Sequence, residues 1–217
     1  MPRQGVAGRF PDEPGGAHRE AEMGGGPPAE PPPPAAPAVS NARLGLMMFI
    51  GAEVMLFAGL MGAYVVLRYG SSVWPPPGQP RLPVGVSAAN SAALLLSAVT
   101  VRRAWTAIRL GDRERLRRRL LATALLGTIF LVVQGSEWIR LVRHGMSLGS
   151  TYGSTFAALI GLHGAHVLVA VAWLLFVLWQ ARGWAYSARR HQMVELCAIY
   201  WIFVCGLWVA LFALIYT

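Results

Sequence analysis

Charge is scarce in this chain: 13% of its 217 residues are Asp, Glu, Lys or Arg. Stretches of about 20 residues carry almost none, which excludes a water-soluble globular domain. Cysteine is nearly absent as well. Cys197 and Cys205 are the two present. They fall on one predicted helix, about 12 Å apart along its axis at the ordinary helical rise, beyond the ~7 Å reach of a disulfide. Neither has metal-ligand spacing, so both read as small apolar residues. No proline follows Pro83, so every later segment is expected to run as an unbroken helix. Broken helices commonly mark a secondary-transporter site, and their absence counts against one. The N-terminus lacks a basic start followed by an apolar core, so no cleaved signal is expected.

What is present is apolar length. The chain is 55% hydrophobic with a mean hydropathy of +0.47, although its first residues are polar. Five apolar runs follow: Leu44–Leu67, Val84–Ala104, Leu120–Val142, Ser154–Trp179 and Leu196–Tyr216. Each is close to or above the ~20 residues that cross a bilayer. The fold class is therefore all-α, an integral membrane bundle of five transmembrane helices over residues 41–217.

Net charge is +9 and all 19 basic residues are arginines. Their placement points to a membrane, not to nucleic acid. With their flanks, the second and fourth links between runs hold eleven arginines, against four for the first and third. Basic links stay in the cytoplasm, so the N-terminus is expected inside and the C-terminus outside. Residues 1–40 hold ten of the 15 prolines, including Pro31–Pro34. They cannot bury enough apolar surface to offset the entropy of ordering, and a disordered Pro/Gly-rich cytoplasmic tail is expected. The remaining prolines sit in WPPPGQPRLP, residues 74–83, a rigid outer turn. Trp74 there, and Trp138 at the outer end of the third run, are candidate interface and lipid contacts.

Polar residues inside the spans are few and so informative. Glu53 is the lone charge within Leu44–Leu67, about 14 Å deep at the helical rise. A carboxyl there is costly and marks a site by default. His163 or His166, at similar depth on the fourth run, is its expected partner. Asn90, Gln134 and Glu137 form a second polar level nearer the outer face. His163 and His166 are three apart, as are Gln134 and Glu137, and each pair is expected to share a helix face. A di-iron carboxylate bundle needs Glu-x-x-His motifs, which are absent. Two histidines on one helix face cannot clamp both sides of a haem. No catalytic or metal site is expected on this chain. Small residues four apart, Ala58 with Gly62, Gly59 with Ala63 and Gly161 with Ala165, suit close helix packing. Packing within the bundle is the expected use, and a subunit interface the other.

These phrases, in their order, resemble subunit III of the haem–copper respiratory oxidases over about Asn41 to Thr217. FIGAEVMLFAGLMGAY places Glu53 where that family has its membrane-embedded glutamate. Trp74–Pro75 matches its Trp-Pro loop, and ANSAALLLSAVTVRRA its second stretch with Asn90. GTIFLVVQGSEW supplies Gln134, Glu137 and Trp138. YGSTFAALIGLHGAHV carries His163 and His166, and ELCAIYW opens the fifth helix. The chain looks like the five-helix form rather than the seven-helix one. Ile202 and Cys205 stand where the family has His and Asp.

The resemblance implies a non-catalytic subunit of a bacterial cytochrome c oxidase in the cell membrane. Its expected neighbours are catalytic subunit I, subunit II and structural phospholipid, with cytochrome c reached through the complex. Haem and copper are expected in the partner subunits, with no cofactor on this chain. The family also implies that Glu53 supports proton uptake and reacts with hydrophobic carbodiimides. Alternatives are subunit III of a quinol oxidase, a nitric oxide reductase accessory protein, or a small proton-coupled transporter using Glu53.

Overall fold

The computed structural model describes residues 40–74, 76, 84–182, 186–187 and 190–216. The expected tail therefore lies outside the described residues except for Ser40. Of the WPPPGQPRLP turn, Trp74 and Pro76 are described. Five helices make up the fold: α1 Asn41–Gly70, α2 Val84–Arg109, α3 Arg113–Arg143, α4 Thr151–Gln180 and α5 Gln192–Tyr216. All five are long and apolar enough to cross a membrane. Among the described residues the β-structure is one isolated bridge, Ser187 to Arg190.

The arginine-rich link between the second and third runs is mostly helix. Helix α2 continues to Arg109 and α3 begins at Arg113. The turn between them uses Gly111 at φ 77°, a left-handed conformation that glycine adopts without Cβ strain. Asp112 then caps α3, its Oδ1 accepting from the Arg115 amide at 2.9 Å, which satisfies one of the free amides of the first turn. Arginine and glutamate are good helix formers, so hydrophobic run length underestimates these helices at their arginine-rich ends.

The core is built around α5, half of whose most apolar stretch is buried. Trp201 and Trp208 on that helix are 1% and 0% exposed. Their indoles donate to α2, Trp201 to Ser97 Oγ at 2.9 Å and Trp208 to Ser91 Oγ at 2.7 Å. A third polar tie joins α2 to α3, Thr100 Oγ1 to Thr123 Oγ1 at 2.8 Å. In a bilayer such contacts contribute about 0.6 kcal/mol each. On α3, the Trp201 ring lies against Gly127, where an added Cβ would collide with it. Glycine is required there by close approach, not by backbone conformation.

Helix α1 stands apart from this core, with only 6% of its most apolar stretch buried. Its ends are pinned to α5. Arg68 Nη1 donates to the Leu214 carbonyl at 3.0 Å. At the other end Gln192 Nε2 donates to Ser40 Oγ at 2.6 Å, and Arg43 pairs with Glu195 at 3.5 Å. The small residues of α1, Ala58, Gly59, Gly62 and Ala63, are exposed. A Cβ at Gly59 or Gly62 would meet nothing within 4 Å. Packing inside the bundle is thus not their use among the described residues. Spacing alone cannot say which side of a helix has a neighbour. Gly161 differs, since it lies against the Trp138 ring within the bundle.

Candidate functional site

The inward edge of α1 is a narrow seam. Leu46, Ile50, Leu60 and Met61 pack partly buried against the core beside buried Phe57 and Tyr64. Read as 46, 50, 53, 57, 60 and 64, the spacing alternates four and three, which keeps one stripe facing a neighbouring helix. Glu53 is the one charged member of that stripe. Its location between Ile50 and Phe57 forces the carboxyl toward α4.

There it meets His166. Nε2 of the ring lies 2.7 Å from Glu53 Oε2, and both side chains are 13% exposed. Oε2 is shielded, and its alignment falls short of a full hydrogen bond. The other ring nitrogen, Nδ1, is 2.7 Å from the Leu162 carbonyl. A carbonyl can only accept, so Nδ1 carries a proton. Nε2 is then the ring nitrogen that faces the Glu53 carboxyl across the seam. Phe57 meets the His166 ring edge-on at 5.3 Å and 72°, which limits its rotation.

His163 does not join this pair. It is 1% exposed and stacks on Trp208 at 5.1 Å and 28°, with Phe130 edge-on at 6.4 Å. Its ring therefore addresses α3 and α5, whereas His166 addresses α1. A three-residue step leaves an offset of about 60° around a helix, enough to send the two rings to different neighbours.

The outer polar level is a set of separate ties. Asn90 Nδ2 donates to the Phe130 carbonyl at 3.0 Å, fixing α2 against α3. Gln134 Nε2 donates to the Tyr216 hydroxyl at 3.3 Å. Glu137 accepts from Arg140 at 3.1 Å, with the guanidinium largely exposed. Trp74 Nε1 donates to the Tyr64 hydroxyl at 3.4 Å, and its ring packs edge-on against Tyr152 at 5.2 Å, joining α1 to α4. Trp138 is half-buried, and its indole nitrogen has no partner among the described residues. Where the family has His and Asp, Ile202 is partly exposed and Cys205 lies 3.9 Å from Ser97 Oγ.

Sequence reasoning passed over Phe57, Tyr64, Tyr216 and Trp208. Phe57 and Tyr64 were findable, since they continue the four–three stripe that holds Glu53. Tyr216 and Trp208 had no such signal, because α5 is apolar on every side. Among the described residues no three His, Cys, Asp or Glu side chains converge as a metal site would require.

A multi-span helical membrane protein with one buried acid–imidazole pair between its least and its more tightly packed helices is the class these features define. The family model described as cytochrome c oxidase subunit III matches residues 35–217. The chain is 36% identical over 173 residues to cytochrome c oxidase subunit 3 of Synechocystis sp., covering 79% of this chain and 73% of that protein. It is 33% identical over 174 residues to the protein of the same name from Thermostichus vulcanus, covering 80% and 85%. To the Rattus norvegicus protein of that name it is 34% identical over 184 residues, covering 80% and 68%. This chain belongs to the cytochrome c oxidase subunit III family.

Proposed function

We propose that this chain serves as the non-catalytic subunit III of a haem–copper cytochrome c oxidase in a bacterial cell membrane. Its N-terminus is cytoplasmic, its C-terminus is outside, and it packs beside catalytic subunit I with subunit II in the same complex. Haem and copper reside in those partners, electrons arrive from cytochrome c through the complex, and structural phospholipid fills the space beside α1. The observation that carries the reading is α1 itself. It is pinned to the bundle at both ends and at Glu53–His166, yet it leaves most of its length uncovered. Met48, Met55 and Val66 present the apolar surface that a membrane partner or lipid would cover.

In this setting the Glu53–His166 pair acts as a proton relay point beside the catalytic subunit. As it takes one proton and later passes it on, its net charge changes by one, and carboxyl and imidazole share that change, which costs less in the bilayer than ionising an isolated carboxylate. Purification in mild detergent through a tag on this chain tests the reading. Recovery of haem-bearing and copper-bearing subunits with an oxidase optical spectrum is expected. Recovery of the chain alone, with proton-coupled uptake in liposomes, would overturn it.

A further inference from the structure

A cavity of about 310 Å³ lies between α3, α4 and α5, on the side of His163 away from the Glu53–His166 pair. Phe130, Gln134, Trp138, His163, Leu168 and Trp208 are among its walls. Leu168 is 56% exposed, so the cavity opens on the outer, apolar face of the bundle. Three of these side chains carry shielded polar atoms that no described residue partners: both ring nitrogens of His163, Oε1 of Gln134 and Nε1 of Trp138. Each such atom costs about 1–3 kcal/mol when left unsatisfied, and hydrocarbon offers no compensation. The donor and acceptor pattern is definite. Trp138 can only donate, the Gln134 oxygen can only accept, and neutral imidazole does one of each.

No Asp, Glu, Lys or Arg lines the cavity. An ionised head group would be desolvated there without a counter-charge, so the matching ligand is neutral. The flat walls of Phe130, Trp138 and Trp208 suit a ring. A cavity of about 150 Å³ already holds benzene, so this one has room for a substituted ring and the start of an apolar chain. Gly135 and Gly164 also line it, and a Cβ at either would meet nothing within 4 Å. Helix packing does not demand glycine at those positions, and the space they leave belongs to the cavity.

We propose that this cavity binds a neutral, membrane-soluble molecule whose ring-sized head bears hydroxyl or carbonyl oxygens, entering sideways from the bilayer. Two sources share that chemistry, an isoprenoid-type quinol or quinone and a polycyclic alcohol. The site lies within this one chain, so it stands or falls separately from the identity of the complex.

The test is photolabelling of the full chain in its native complex, in membranes, with mapping of the labelled peptides. The probes are a diazirine-bearing short-chain hydroquinone and a diazirine-bearing polycyclic alcohol, with a diazirine-bearing phosphatidylglycerol as the charged control. Saturable labelling near Trp138 and Leu168 by one ring probe is expected, and the probe that labels identifies the source. Gly164→Leu and Gly135→Leu fill the space and should cut labelling at least about tenfold, equivalent to a ~1.4 kcal/mol loss of affinity. Trp138→Phe, which removes the indole donor together with part of the ring wall, should weaken it a few-fold while the complex assembles normally. Labelling that does not saturate, that phosphatidylglycerol matches, or that survives all three substitutions would overturn the proposal. A result in which neither ring probe labels would mean that the polar atoms are met by water alone, and would overturn it equally.

Discussion

His166 Nε2 lies 2.7 Å from Glu53 Oε2 across the seam between α4 and α1, while the neighbouring His163 turns away to stack on Trp208. One histidine of two at similar depth is thus selected as the partner of the only acidic residue in α1. The selected ring is held from behind by the Leu162 carbonyl and from the side by Phe57. Its free rotation is small, and Nε2 stays turned toward the carboxyl.

Glu53→Gln keeps the shape and hydrogen-bonding capacity of the side chain but removes the titratable group. The expected stability cost is about 0.5–1.5 kcal/mol, the net worth of one hydrogen bond, so the complex should assemble with its haem content unchanged. Proton uptake during turnover should slow, electron transfer should fall without being abolished, and carbodiimide labelling of this chain should largely disappear. Haem content, oxygen consumption and proton-to-electron stoichiometry check these in one preparation. Loss of haem from the variant would make Glu53 a structural residue, and unchanged stoichiometry with unchanged turnover would make it a packing group.

The orientation expected from the arginine placement can be read chemically. Leu110→Cys, in the short α2–α3 turn, should be labelled by an impermeant thiol reagent only from the cytoplasmic side. Leu148→Cys, in the α3–α4 turn, should be labelled from outside. Both positions are exposed, and the native Cys197 and Cys205 are 2% exposed and should stay silent. Labelling of position 110 in intact cells would reverse the topology.

Gly127→Ala drives a methyl group into the Trp201 ring. The ring cannot retreat easily, because its indole is tied to Ser97. Overpacking of this kind costs about 1–3 kcal/mol, only partly offset by the better helix propensity of alanine. Thermal inactivation of the purified complex should occur at a lower temperature than for Gly62→Ala, whose Cβ meets nothing within 4 Å. Equal stability of the two variants would show that α3 and α5 are not packed in this register.

The sequence by itself determined the class, the number of spans and the position of the charge within them. Those properties depend on run length, and a stretch of about 20 apolar residues must cross the bilayer as a helix because no other conformation satisfies its backbone there. The polar residues worth watching were visible for the same reason, since each stands out against an apolar background. Tertiary structure alone decided what each of them touches. His163 and His166 look equivalent in the sequence, and only the placement of α1 and α5 on different sides of α4 separates them. The exposed small residues of α1 and the cavity beside Gly135 and Gly164 were likewise illegible. In a lipid environment every face of a span is apolar, so the inside–outside pattern that marks neighbours in a soluble helix is erased. Which face is covered is settled by packing between helices distant in the chain.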